Sequence, residues 1–327
     1  MLELFKKNHW FYSLLLLPYG IILRINALWF PKKYTLSYNS ITFENAFGWI
    51  YGHAILETML AILLLFLQAV MINRLIINNR MSRTATLVPG LFYITLCSLS
   101  TPLLRLSPAL IAMTFVILAL GELYKIYIRK PFPKTLFNYG LWAAIAWLIY
   151  PPLFILTPLG IIAMQVLRGI KFKELLQMLG GVFTGMFLVG TYFFYTDDLI
   201  EFVKSLMVFH PKYYYHLLIF NWIDKIYYAF LMLLLLITLG ISPKVYINIG
   251  IKERKKWQIV VFFLIASFLA IILQPINAWQ HWTLIFLPVS MILGVVVGQM
   301  KQSIILDVLM LLIAVSIVFL HFQIEVI

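Results

Sequence analysis

"WIYGHAILETMLAILLLFLQAVMI", Trp49 to Ile72, is an apolar run with a single carboxylate, Glu57, in it. It does not alternate apolar with polar residues, so it is not a strand of an outer-membrane barrel. It exceeds the ~20 residues that an α-helix needs to cross the hydrocarbon layer. The run therefore predicts a transmembrane helix, the structure that satisfies its own backbone hydrogen bonds inside lipid.

The rest of the chain has the same character. Of 327 residues, 63% are hydrophobic and 11% charged, with mean hydropathy +0.96. Soluble domains run at about 45–50% and about 25%. No soluble fold hides that much apolar surface, so lipid is the expected solvent. Eleven apolar segments can be marked: Trp10–Trp29, Trp49–Ile72, Leu87–Leu103, Ala109–Ile126, Asn138–Tyr150, Leu153–Leu167, Leu175–Tyr195, Ile226–Ile241, Gln258–Leu273, Thr283–Val297 and Ile304–His321. The expected fold is an all-α polytopic bundle of about eleven spans, a single transmembrane domain over residues 1–327. Asn138–Tyr150 and Leu153–Leu167 are short and meet at Pro151-Pro152, which forces a tight reversal. They predict half-height helices beneath a cavity or groove. No small-x-small cleavage site follows Leu28, so the first segment reads as an uncleaved span rather than a signal peptide.

The net charge is +13. In a membrane chain this excess first encodes orientation, not nucleic-acid binding. With the N-terminus inside, inner loops hold 18 of the 25 Lys and Arg and outer segments hold 7. The expected topology is N-terminus cytoplasmic and C-terminus extracytoplasmic. Seven of the 12 acids then fall at or near the outer face. The single cysteine, Cys97, excludes a disulfide framework and reads as a small packing residue.

Four outer features carry candidate chemistry. Residues 30–48 hold one acid, Glu44, flanked by Phe43, Asn45 and Phe47, which predicts a short segment on the membrane surface. Glu44 reads either as a general base or as a helix-terminal carboxylate paired with Lys32 or Lys33. His53 and Glu57, four residues apart, are expected to share a helix face. Glu57 lies about 12 Å below Trp49, and Arg24 about 8 Å from the outer end of the first span. Ionisable groups at such depth need partners, so Arg24 and Glu57 are expected to pair, as a structural ion pair or as the polar wall of a cavity. The segment 196–225 opens with an amphipathic stripe expected to lie in the interface, with Asp198 and Glu201 spaced as a capping box. Its "HPKYYYH" places His210 and Lys212 among aromatics, either as an aromatic belt or as a clamp on a lipid headgroup. No metal motif, phosphate loop or Gly-x-Ser-x-Gly is present. A divalent cation held by Glu44 together with a substrate phosphate stays open.

"WQHWTLIFLP", Trp279–Pro288, is similar to the aromatic/His-hydrophobic-Pro signature of the GT-C glycosyltransferases, integral-membrane enzymes that use polyprenyl-phosphate-linked sugars. "LGGVFTGMFLVGTYFFYTDDLIEFVKS", Leu179–Ser205, resembles their Gly-rich span and the outer amphipathic segment that follows it. The resemblance implies a GT-C-like fold in the bacterial cytoplasmic membrane and inverting sugar transfer to an envelope acceptor on the extracytoplasmic face. It puts the catalytic role on Glu44 and substrate or lipid-phosphate contacts on Arg24, His53, Glu57, Arg105, Asp197, Asp198, His210, Lys212 and His281. The departures are a lone Glu where the family shows Asp, often an acidic pair, a shorter loop, and no soluble domain after the last segment. The chain also resembles a multi-spanning membrane protein family of Bacteroidota, which supplies no activity. Two rival readings stand beside the enzyme: a non-catalytic subunit or assembly factor bound to envelope protein partners, and a transporter of a lipid-linked intermediate, which predicts midplane charges and inverted repeats.

Overall fold

The run that opens this account forms helix, shifted toward the C-terminus of the apolar stretch. In the computed structural model, which describes residues 2–30, 41–50, 53–128, 133–206, 222–245, 249–272, 279–300 and 304–323, this helix is Ala54–Asn78. It starts late because Gly48–Ile50 coils as a 3-10 turn and His53 is the N-cap. It runs past Ile72 because a helix ends at a stop signal, not where hydropathy falls. The stop is Arg80, which adopts a left-handed conformation.

Among the described residues every regular element is helical. The helices are α1 (Leu2–Lys6), α2 (Trp10–Leu14), α3 (Leu16–Leu23), α4 (Ile25–Trp29), α5 (Ile41–Phe47), α6 (Ala54–Asn78), α7 (Val88–Leu96) and α8 (Pro108–Ile128). They continue with α9 (Pro133–Ile149), α10 (Leu156–Arg168), α11 (Phe172–Tyr195), α12 (Leu199–Leu206), α13 (Trp222–Val245), α14 (Ile251–Ile272), α15 (Thr283–Gln299) and α16 (Ile304–Gln323). Each of the eleven apolar segments contains helix. Five helical stretches have the length and composition of a full crossing: Ala54–Asn78, Pro108–Ile126, Phe172–Tyr195, Ile251–Ile272 and Gln280–Gln299. The first segment is broken into α2, α3 and α4. Pro18 removes an N–H and crowds the carbonyl four residues back, where the break at Leu15 falls.

The expected hairpin is present. Pro151–Ile155 coils as a 3-10 turn between α9 and α10. At ~1.5 Å per residue these helices reach about 25 Å and about 20 Å, short of the ~30 Å hydrocarbon layer. Helices α9 and α11 cross with their backbones in contact. A Cβ at Gly140 would overlap the Met178 carbonyl, and one at Gly181 would overlap that of Phe137. Small residues allow such an approach, which gains van der Waals contact where lipid supplies no hydrophobic drive. The centre of the bundle is α7 against α15. From Thr283 to Ile292 every residue of α15 is buried. "WTLIFLP" thus opens the most enclosed of the five helical stretches long enough to cross.

Two ends can be told apart by their chemistry. At one, the chain is stitched by cations and backbone: Lys6 Nζ donates to Met300 O (2.9 Å), Lys255 Nζ to Leu167 O (3.1 Å), and Lys256 Nζ to Asn79 O (3.0 Å). Each carbonyl lies at a helix C-terminus, where cations are favoured. Trp257 Nε1 donates to Met81 O (2.8 Å), and Leu87 N to Phe5 O (2.7 Å). The basic loops therefore share one end. The other end holds α5, α12 and the 3-10 turns Gly48–Ile50, Thr101–Leu103, Pro151–Ile155 and Trp279–Trp282.

Candidate functional site: the rim around Glu44

Two segments that looked separate in the sequence meet at this rim. Helix α5 is pinned from beneath. Phe43 is fully buried in the main core, and Thr42 Oγ1 donates to the Leu148 carbonyl at the end of α9. Ile41 packs on a small cluster made of Leu148, Phe193 and Phe202. That cluster also seats α12: Phe202 stacks on Phe193 with ring centroids 4.7 Å apart. The surface segment expected around Glu44 is this helix, and the interfacial helix expected after residue 196 is α12. The two touch. Burying Phe43 turns Glu44, Asn45 and Ala46 outward, and all three are exposed. Among the described residues the Glu44 carboxylate has no hydrogen-bond or ion-pair partner.

Asp197 and Asp198 shape the corner that launches α12. Asp197 is left-handed (φ 63). Its N–H donates to Phe194 O (3.4 Å) and that of Asp198 to Phe193 O (3.0 Å). This pair of bonds closes α11 as a Schellman motif, and aspartate tolerates the left-handed region better than most residues. Asp198 O then accepts from Phe202 N (3.0 Å) and starts α12. The capping box expected of Asp198 and Glu201 does not form, since both side chains are exposed and make no hydrogen bond among the described residues. His210 and Lys212 lie outside the described residues.

The expected pairing of Arg24 with Glu57 is corrected. Arg24 is fully buried, and its guanidinium caps backbone carbonyls. Nη1 donates to Leu104 O (2.5 Å), Nη2 to Cys97 O (2.8 Å) and Leu103 O (3.0 Å), and Nε to Ser98 Oγ (3.3 Å). These carbonyls end α7 and the 3-10 turn after it, and their partial negative charge is what the cation answers. Glu57 pairs instead with Arg105, Oε2 to Nη1 at 3.6 Å, both groups buried. Depth put Arg24 and Glu57 at one level. The reversal after α7 decides the partner, because it delivers carbonyls to Arg24 and a second arginine to Glu57.

His53 and Glu57 do not share a face. Residue 53 is the N-cap, with φ −105 and ψ 76, so its side chain leaves the helical register. His53 is exposed while Glu57 is buried. His53 stands at the mouth of an open groove of ≈ 700 Å³ along α6, lined by Ala54, Leu56, Met59, Leu60 and Leu63 among others. The groove is apolar apart from the histidine.

His281 is 1% exposed, and its Nδ1 is hydrogen-bonded to the Tyr150 hydroxyl. The bond ties the Trp279–Trp282 turn to the N-cap of the Pro151–Ile155 turn. It makes His281 part of the frame under the rim, while Glu44 faces outward. Tyr150 was not singled out in the sequence, although an aromatic hydroxyl directly before a Pro-Pro corner is a signal for such a tie. Thr42, beside the candidate carboxylate, was missed because its partner is a backbone carbonyl.

An all-helical bundle with several apolar helices long enough to cross a membrane, and a polar rim at one end, has the character of a helical membrane protein. Comparison finds no matching family model, no similar curated protein and no matching solved structure.

Proposed function

We propose that the protein is a GT-C-like membrane glycosyltransferase that moves a sugar from a polyprenyl-phosphate donor to an envelope acceptor on the extracytoplasmic face. In this reading the eleven apolar segments cross or enter the bilayer, the basic end is cytoplasmic, and the Glu44 rim is outside. The observation that carries the proposal is Glu44 itself, an exposed carboxylate with no partner among the described residues, on a short helix fixed by Phe43 and Thr42. A rigid mount of this kind suits a general base.

The chemistry is a displacement. Glu44 takes the proton of the acceptor hydroxyl, the oxygen attacks the anomeric carbon, and the C–O bond to the phosphate breaks with inversion. The lipid phosphate departs with the electron pair. The groove along α6 receives the first part of the prenyl chain, and His53 at its mouth hydrogen-bonds the phosphate. Arg24 is withdrawn from phosphate binding because four of its hydrogen bonds are spent on the frame. Arg105 is neutralised by Glu57. Among the described residues no three His, Cys, Asp or Glu are grouped to hold a metal ion. The described residues offer no such set for a resident metal, and no step is routed through one.

The test is Glu44→Gln in cells, followed by measurement of envelope glycan. Loss of the glycan at unchanged protein level supports the proposal. Unchanged glycan removes it and leaves the non-catalytic subunit reading.

A further inference from the structure

The basic end carries a feature that the chemistry of the rim does not use. Helix α6 closes as a Schellman motif, with Arg80 N donating to Ile77 O (3.0 Å) and Met81 N to Ile76 O (3.0 Å). The residue between cap and core in such a motif is left-handed and is usually glycine. Here it is Arg80, with φ 52. A Cβ in that conformation crowds the following carbonyl. Among the described non-glycine residues only Asp197 shares it, and a short acidic side chain tolerates that region. Arginine has no such excuse. The side chain held at this strain is exposed and has no hydrogen-bond or ion-pair partner among the described residues.

The residues beside it in space are basic. Lys256 donates to Asn79 O and Oδ1 (3.0 and 3.1 Å) and lies within electrostatic reach of Arg80. Lys252 is one turn further out on the same side of α14. Glu253, the acid of this stretch, has its Oε2 folded over Gly250 at the start of its own helix. Cations outnumber acids over "KERKK", Lys252–Lys256, and Arg80 adds to the excess. The site lies where the apolar helix α6 ends and the apolar helix α14 begins.

We propose that Arg80, on the basic side where α6 meets α14, seats the phosphate of an anionic phospholipid in the leaflet at the basic end. The strained turn aims the guanidinium at the headgroup while the chains lie along α6 and α14. The inference is independent of the chemistry assigned to Glu44.

The experiment is thermal unfolding of the full chain in phosphatidylcholine nanodiscs, with and without phosphatidylglycerol. Wild type gains an increment in Tm from the anionic lipid. Arg80→Gly relieves the turn, so its Tm in pure phosphatidylcholine rises by about 2 °C, yet it loses most of the increment. Arg80→Lys keeps the charge and most of the increment. Inorganic phosphate added to phosphatidylcholine discs has no such effect. A wild type without the increment, an Arg80→Gly variant that retains it, or an equal rise with free phosphate overturns the proposal.

Discussion

Arg24 shows how far a single residue can be read without its neighbours. Its depth and its need for a partner were legible from the sequence. The partner was not, because a guanidinium is answered as well by converging carbonyls as by a carboxylate, and only the turn after α7 shows which is at hand. The consequence is a stability role. Arg24→Ala strips donors from three buried carbonyls, each loss costing about 1–3 kcal/mol. The expected result is a large fall in Tm or in folded yield, even in lipid lacking any donor sugar. Glu57→Gln removes the carboxylate that answers the buried Arg105 charge, an expected loss of up to about 3–5 kcal/mol. Exchanging the two charges, Glu57→Arg with Arg105→Glu, should recover part of it, and thermal unfolding of the single and double variants checks this. Glu44→Gln should leave the stability, read from thermal unfolding, within about 0.5 kcal/mol of wild type, since Glu44 is exposed and has no partner among the described residues.

At the scale of elements, each of the eleven apolar segments carries helix, because lipid demands long apolar runs and punishes exceptions, whereas the short α1 (Leu2–Lys6) lay outside them. Boundaries drifted where stops are conformational: α6 runs to a left-handed arginine, and α9 begins at Pro133, before its apolar stretch. The Pro151-Pro152 reversal was legible because proline forbids helix there. The contact of α5 with α12 was not, since it runs through Phe193 and Phe202, apolar residues whose pairing no local pattern encodes. The glycines of "LGGVFTG" were noted as a resemblance, and the structure gives two of them, Gly181 and Gly185, a physical task against α9. Gly181 lets α11 touch α9, so Gly181→Leu should force the helices apart and cost about 1–3 kcal/mol or more. The measurable outcome is a lower Tm, with a much smaller effect for Gly180→Leu, where a Cβ meets nothing.

The molecule as a whole has two unlike ends: one stitched by lysines to helix C-termini, the other carrying an exposed carboxylate on a pinned helix. In the proposed function the first end is cytoplasmic, as the charge asymmetry of the loops predicts, and the second is outside, as sugar transfer to an envelope acceptor requires. Single-cysteine labelling in intact cells tests this directly. Cys97 is buried and contributes little background. Asn45→Cys, next to Glu44, should react with a membrane-impermeant maleimide in intact cells, and Thr84→Cys, at the basic end, only after the membrane is opened. The reverse pattern would put Glu44 in the cytoplasm and contradict the proposed function at its root.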